Sequence, residues 1–299
     1  MAGESMLGTL RMATVAAGDV ARAVDLLGVL GDEPDVHPLD ARDPSYIAET
    51  LPAIRLMSEV YFRGEVQGLE HVPADEPVLL VGNHSGGTLI ADTFVFAQAF
   101  YDHFGPERRF HQLAHDLVFK VPGVRAMLMR YGTVPASPEN MRSALDRGAA
   151  LLVYPGGDYE SYRPSWESAK VDFGGRQGFA RLALELGVRI VPVVAIGGQE
   201  TALFLGRGGR LARGLGLDRL LRLKVLPAQL APPFGLTVLD LPGRIPLPAK
   251  IKVQVLPPVD LRAELGAKAS PREAYDLVTS RMQDTLDELA DERTLPVLG

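Results

Sequence analysis

His84 stands where an imidazole can move protons. It belongs to Asn83-His84-Ser85-Gly86-Gly87, after the apolar run Val78-Leu79-Leu80-Val81 and before a helix-like stretch from Leu89 to Phe100. A buried strand ending in a turn into a helix is where α/β folds place their chemistry. Gly82, Gly86 and Gly87 keep side-chain bulk away from His84, so a substrate can approach. Asp92 is the nearest downstream carboxylate and the natural group to orient the ring and stabilise its charge. The same residues also suit a tight strand–helix turn whose histidine only caps the helix.

A second segment weighs between these readings. It begins Leu151-Leu152-Val153-Tyr154-Pro155-Gly156-Gly157-Asp158-Tyr159-Glu160, and Phe173-Gly174-Gly175-Arg176 and Ile190-Val191-Pro192-Val193-Val194 follow. In order, an Asn-His turn after a strand, a Tyr-Pro-Gly-Gly-x-x-Glu block and a Val-Pro-Val block resemble the glycerolipid acyltransferase superfamily, the PlsC-like enzymes. The second block is similar to that of the diacylglycerol and phytyl-ester acyltransferase-like branch. The resemblance covers about residues 46 to 260. Three positions depart from it. The family spacing puts an Asp where Leu89 stands, the family Glu of Phe-Pro-Glu-Gly is replaced by Gly156, and the expected Arg falls at Ser137. A neutral or bulky acyl acceptor fits these departures better than a small lysophosphatidate.

The resemblance implies transfer of a fatty acyl group from acyl-coenzyme A or an acyl-carrier protein to a lipid hydroxyl, with no further cofactor. Such a reaction needs a base for the hydroxyl and donors for the oxyanion. His84 is the expected base and Asp92 its orienter. The Gly156 and Gly157 amides are expected as an oxyanion or phosphate nest. Glu160 and Arg163 lie in reach of an acceptor head group, Lys170 and Arg176 suit the donor phosphates, and Tyr162 and Trp166 suit pocket walls. His111 and His115 lack a glycine-rich turn and read as supporting residues beside the active strand. Two rivals stay open: a catalytically inactive lipid-binding protein of the same fold, and an α/β-hydrolase using Ser85. The hydrolase order requires a late histidine, and none follows His115.

Composition narrows the classes. The 299 residues are 46% hydrophobic, enough for a large core. There is no cysteine, so no disulfide and no thiolate metal site. The six histidines show no metal-ligand spacing. A net charge of -6 argues against a nucleic-acid binder. No basic leader and no apolar run long enough to span a bilayer are evident. The reading is a cytoplasmic protein, peripheral at the inner face of the membrane.

The elements follow from pattern. Residues 5 to 30 suggest a helical extension and 31 to 44 an acidic linker, giving an extension over 1–45 and an α/β domain over 46–299. Asp43-Pro44 opens a helix to about Phe62, with Asp43 as N-cap. Strands are expected at 66–70, 78–82, 109–114, 150–154 and 190–196, with helices at 138–146 and 178–186 between or after them. That alternation means a mixed, mainly parallel sheet flanked by helices. Ile251 to Val255 alternates and reads as a half-exposed edge strand. Ser270-Pro271-Arg272-Glu273 is a capping box opening a helix to about Glu292.

One stretch runs against the acidic whole. From Gly206 to Lys224, six basic residues face the single Asp218, a net +5, with leucines interleaved and a proline-rich apolar run after them. Residues 207–236 therefore read as a surface for anionic lipid.

Overall fold

The computed structural model describes residues 37–299 except 117, 121–123, 210–212, 214–224, 239, 241–242, 296 and 299. The expected helical extension and residues 31–36 of the linker lie outside the described residues, as does most of the basic stretch. The chain enters helix α1 (Pro44–Leu56), where the Asp43 side chain accepts from the Tyr46 amide. A π-turn over Met57–Tyr61 follows, so the expected single helix to Phe62 changes pitch after Leu56.

Ten strands and seven further α-helices come next among the described residues. They are β1 (Glu65–Gln67), β2 (Val78–Gly82), α2 (Ala91–Phe104), β3 (Phe110–Ala114), α3 (Val124–Arg130), β4 (Thr133–Pro135), α4 (Pro138–Asp146), β5 (Ala150–Val153), α5 (Gly157–Ser161), α6 (Gly178–Leu186), β6 (Ile190–Ile196), β7 (Leu203–Gly206), β8 (Ala228–Ala231), β9 (Gly235–Thr237), β10 (Lys252–Val255), α7 (Leu261–Leu265) and α8 (Pro271–Asp291). The main sheet runs β1-β10-β6-β2-β5-β3-β4, and β7-β8-β9 form a small second sheet. Every pairing in the main sheet is parallel except β10 with β6.

Strands buried on both faces lose their polar alternation. All of β2, β5 and β6 is buried. Leu79, Val81, Leu151 and Val194 join one core layer, into which α8 sends Ala274, Val278, Met282 and Leu286 at helical spacing. Val78, Leu80, Leu152 and Val193 join the opposite layer with Phe96 and Phe100 of α2. Each such side chain contributes about 1.5–3 kcal/mol of transfer free energy. The capping box at Ser270 and Glu273 closes reciprocally at the start of α8.

Two expectations change. β10 is not an edge strand, because β1 covers its free side. Its alternation arises from one buried face, with Val253 and Val255 inward. β3 does not lie beside β2, since β5 stands between them. His111 on β3 is buried, and its Nδ1 meets the Gly132 carbonyl at 2.9 Å. Burial pushes its pKa down to about 4 despite that bond, so it is a neutral structural histidine.

Candidate active site

β2 and β5 are parallel neighbours, so the turns at their carboxyl ends lie side by side. The first carries His84 and the second carries Tyr154. The two rings stack with centroids 4.3 Å apart and planes 19° from parallel. The Tyr154 hydroxyl accepts from Thr93 Oγ1 at 2.8 Å, which fixes the ring against α2. Burial, with Asp92 beside it, holds the phenol well above its usual pKa. It therefore stays neutral and serves as a rigid platform for the imidazole.

Asp92 sits in the first turn of α2, where the helix dipole favours an anion. Its Oδ2 lies 3.4 Å from His84 Nδ1. The same oxygen accepts from the Ser85 amide at 3.0 Å and the Ser85 hydroxyl at 3.2 Å, and Oδ1 accepts from the Thr93 amide at 2.8 Å. His84 Nδ1 is buried and forms no aligned hydrogen bond, although the carboxylate oxygen lies within 3.4 Å of it. Three residues beyond the family spacing, Asp92 thus still reaches the ring. Gly86 and Gly87 let the loop turn back onto the helix start.

The backbone of His84 is held as firmly as its ring. Its amide donates to Glu160 Oε2 at 2.9 Å, and its carbonyl accepts from Arg163 Nη1 at 2.6 Å. The preceding Asn83 pairs its amide with both backbone groups of Ala195, at 2.8 and 2.7 Å, tying the turn to β6. Glu160 Oε1 accepts from the Asp172 amide at 3.0 Å.

These bonds correct the expected roles of Glu160 and Arg163. The side chains are 0% and 1% exposed and face backbone groups, not a head group. Burial raises the Glu160 carboxyl against the pull of Arg163, and burial lowers the Arg163 guanidinium. They form a buried brace for the turn. Likewise the Gly157 amide is committed to the Tyr154 carbonyl at 3.0 Å, so it is no oxyanion donor here. Arg176 donates to the Pro155 and Gly156 carbonyls and pairs with Asp158 at 3.3 Å, while Lys170 is exposed. Tyr162 bonds Thr88 Oγ1 at 2.8 Å, and Trp166 is 70% exposed, so neither side chain is a sealed pocket wall.

Ser85 is 1% exposed and committed to Asp92, which opposes its use as a nucleophile. Among the described residues no group of three histidine, cysteine or carboxylate side chains is arranged to hold a metal. Nor is any helix there long and apolar enough to cross a membrane. Beside Thr93, a narrow apolar cavity of about 30 Å³ opens between α1, α2 and α3, lined in part by Ile54, Phe94, Ala97, Tyr101, Met127 and Leu128.

The sequence reading missed Tyr154 and Thr93 as parts of this constellation. The aromatic at the head of the Tyr-Pro-Gly-Gly block was the available signal for Tyr154. It also missed Asp240 and Arg244, which follow β9 and reach the same turn.

Comparison with known proteins places these features. The family model described as Acyltransferase matches residues 63–196, from the entry to β1 through the end of β6. An uncharacterized protein of Mycobacterium tuberculosis is 29% identical over 239 residues, covering 79% of this chain and 63% of the relative's length. The human DGAT1/2-independent enzyme synthesizing storage lipids is 32% identical over 151 residues, 50% of this chain and 45% of that one. The crystal structure of the 1-acyl-sn-glycerophosphate acyltransferase PlsC from Thermotoga maritima shares the fold. Its TM-score is 0.53 at 18% identity, over 84% of each chain.

Proposed function

We propose that the domain whose residues 63–196 match the Acyltransferase family model, on a fold shared with PlsC, moves a fatty acyl group from a thioester donor to the hydroxyl of a glycerolipid or other lipid alcohol. The observation that carries this reading is the contact of His84 Nδ1 with Asp92 Oδ2, at the carboxyl end of β2, with the ring stacked on Tyr154. With Nδ1 turned to the carboxylate, Nε2 is the basic nitrogen.

The acceptor oxygen attacks the thioester carbonyl as its proton passes to Nε2. The tetrahedral intermediate collapses, the C–S bond breaks, and the leaving thiolate takes the proton back from the imidazolium. Asp92 stabilises that imidazolium and keeps the ring in one tautomer. No acyl-enzyme forms. Of the two glycine amides, this reading retains Gly156 as the oxyanion donor. The donor is acyl-coenzyme A or an acyl-carrier protein. Lys170 and Arg176 meet its phosphates, since the surface pair of Arg176 with Asp158 is cheaply exchanged. The apolar cavity beside Thr93 receives the start of the acyl chain if α1 and α3 part from α2, because 30 Å³ admits little more than a water.

The acceptor arrives from a membrane to which the protein binds peripherally, at its inner face, through residues 207–236. The exposed row Leu203, Leu230 and Leu236 supports this. These residues are paired across β7, β8 and β9 and are 42, 46 and 67% exposed. Exposed apolar patches of this kind mark contact surfaces. The test is turnover of acyl-coenzyme A with a panel of lipid and short-chain alcohols, wild type against His84→Ala. Ester formation that persists in His84→Ala removes the mechanism. No turnover on any acceptor, with lipid binding retained, turns the reading to an inactive lipid-binding protein.

A further inference from the structure

One buried ion pair joins the small sheet to the histidine turn, and it lies beyond the matched family segment. Asp240 and Arg244 are each 3% exposed, with Arg244 Nε 2.9 Å from Asp240 Oδ1. Asp240 Oδ2 accepts from the Thr88 amide at 2.6 Å, and Arg244 Nη2 donates to the Gly86 carbonyl at 2.7 Å. The pair thus grips the chain on both sides of Gly87. A Cβ at Gly87, whose φ is +66°, would lie 2.4 Å from Asp240 Oδ2, so only glycine lets the carboxylate come this close.

The other ends of both side chains belong to the small sheet and its approach. Gln229 of β8 donates to Asp240 Oδ1 at 2.9 Å, and Arg244 Nη1 donates to the Thr201 carbonyl at 3.2 Å. The Arg244 guanidinium stands 5.8 Å from the ring centroid of Phe204 on β7. Two charges are buried here to hold two neutral peptide groups of one turn. A buried pair is weak evidence for stability and better evidence for fixed geometry. Burial would raise the Asp240 carboxyl, but Arg244, Gln229 and Thr88 together hold it below its usual range.

We infer that Asp240 and Arg244 are a positioning pair for His84, which couples the small sheet, and whatever docks on its leucine face, to the reacting imidazole. The inference rests on the acyl-transfer reading. His84 to Thr88 is held from three directions: Asp92 on α2, Glu160 and Arg163 on the β5 side, and Asp240 and Arg244 after β9. Removing the third support leaves Gly86 and Gly87 only their amide bonds to Gln199 and Ser161, and Thr88 its hydroxyl contact with Tyr162, so the turn loosens and the ring drifts from Asp92.

The experiment compares wild type, Arg244→Lys, Arg244→Ala and Gln229→Ala on a short-chain soluble acceptor. Melting temperature and amide hydrogen exchange at Gly86 and Thr88 are followed alongside. Arg244→Lys keeps the charge but cannot reach both carbonyls. We expect its kcat to fall about tenfold or more with KM for the donor within about twofold, on the scale at which small misplacements cost catalysis. Faster exchange at Thr88 accompanies the loss, and free guanidinium ion restores kcat in Arg244→Ala. Gln229→Ala, which keeps the pair and cuts its tie to β8, covers the case in which the arginine variants do not fold. Its kcat falls about threefold or more on the same scale. A folded Gln229→Ala or Arg244→Lys with unchanged kcat and unchanged Thr88 exchange overturns the inference, as does a loss confined to melting temperature. Absence of turnover in wild type sinks the acyl-transfer reading instead, and the exchange measurement then still tests the clamp.

Discussion

The carboxylate of Glu160 fills the space that a side chain at position 156 would take. A Cβ built on Gly156 would lie 2.4 Å from Glu160 Oε2 and 2.5 Å from its Cβ. The family block carries its glutamate at position 156. Here glycine stands there, and a glutamate one helical turn on reaches back into the vacated volume. That carboxylate then holds the His84 amide. Position 156 gives up side-chain room that Glu160 takes, an exchange of space between the two positions.

The exchange predicts that Gly156→Ala is costly although alanine is small. The methyl must push Glu160 off the His84 and Asp172 amides, leaving buried groups unpaired at about 1–3 kcal/mol. We expect turnover to fall about a hundredfold with a lowered melting temperature. Gly156→Ala combined with Glu160→Ala relieves the clash and recovers stability but not turnover. The check is paired calorimetry and kinetics on both variants. A fully active Gly156→Ala would show that the Glu160 bond to His84 is dispensable.

His84→Ala is expected to cut acyl transfer by about 10²- to 10⁴-fold, the usual contribution of a positioned base. The fold should survive, because the ring lies at the end of β2 rather than within a core layer. Ser85→Ala should retain most activity. Its hydroxyl is one of several donors to Asp92, and the backbone donor remains. The reverse pattern, dead Ser85→Ala and active His84→Ala, would restore the hydrolase reading. Steady-state kinetics on folded protein decides.

Much of the main sheet was legible because its physics is local. Strands buried on both faces read as continuous apolar runs, and Ser137, Ser270 and Asp43 announced helix starts by their capping chemistry. The His84 turn and the Tyr154 turn were legible as glycine-rich strand ends. The small sheet was not. Its strands are short and sit among prolines and glycines that read as loop. Glu160 and Arg163 were misread because charges seldom lie fully buried, and sequence does not show the backbone groups that pay for it here. Asp240 and Arg244 lie at a spacing typical of a solvated surface pair. Only the tertiary path brings them to Gly86 and Thr88.

Asp92→Asn should lower turnover strongly, yet less than loss of the imidazole. Asparagine keeps the volume but cannot stabilise an imidazolium, and its NH₂ must face either the Ser85 or the Thr93 amide. Equivalent changes in catalytic triads cost up to about 10⁴-fold, which sets the upper limit. A loss of about a hundredfold or more in kcat, with KM little changed, is the expected result in single-turnover and steady-state assays. Wild-type kcat in a folded Asp92→Asn would remove Asp92 from the mechanism.

Stability should carry an acid-side signature from Asp240. Its carboxyl is held below the usual 3.8, so its ionised form favours the folded state. That contribution is complete above about pH 3.8 and is lost as pH falls through the depressed folded value. Asp240→Asn should therefore be less stable at neutral pH, and its deficit against wild type should shrink below pH 3.8. Glu160 acts with the opposite sign. Burial raises its carboxyl above 4.5, so its term declines as pH rises from 4.5 through that raised value. Urea midpoints measured across pH 2 to 8 for wild type and variant test this. A deficit that stays constant with pH would mean that Asp240 is not ionised in the folded protein.

Membrane binding should depend on both chemistries of the small sheet. The segment between β7 and β8 carries a net +5 between Gly206 and Lys224, and each basic residue near an anionic surface is worth about 1 kcal/mol. The strands on either side of it in the sequence belong to the sheet that exposes Leu203, Leu230 and Leu236. Leu205, Phe234 and Val238, exposed by 42, 46 and 50%, flank that row. Charge brings the protein to the surface, and the leucines then enter it. Arg213, Arg219 and Arg222 reversed to Glu should abolish co-sedimentation with anionic vesicles at low salt. Leu203, Leu230 and Leu236 changed to Asp should abolish it at high salt as well, where charge is screened. Both triple variants should keep turnover on a short-chain soluble acceptor, which needs no membrane to reach the site. Vesicle binding unchanged in both variants would move the membrane contact to another surface, with the segment before residue 37 the first to test.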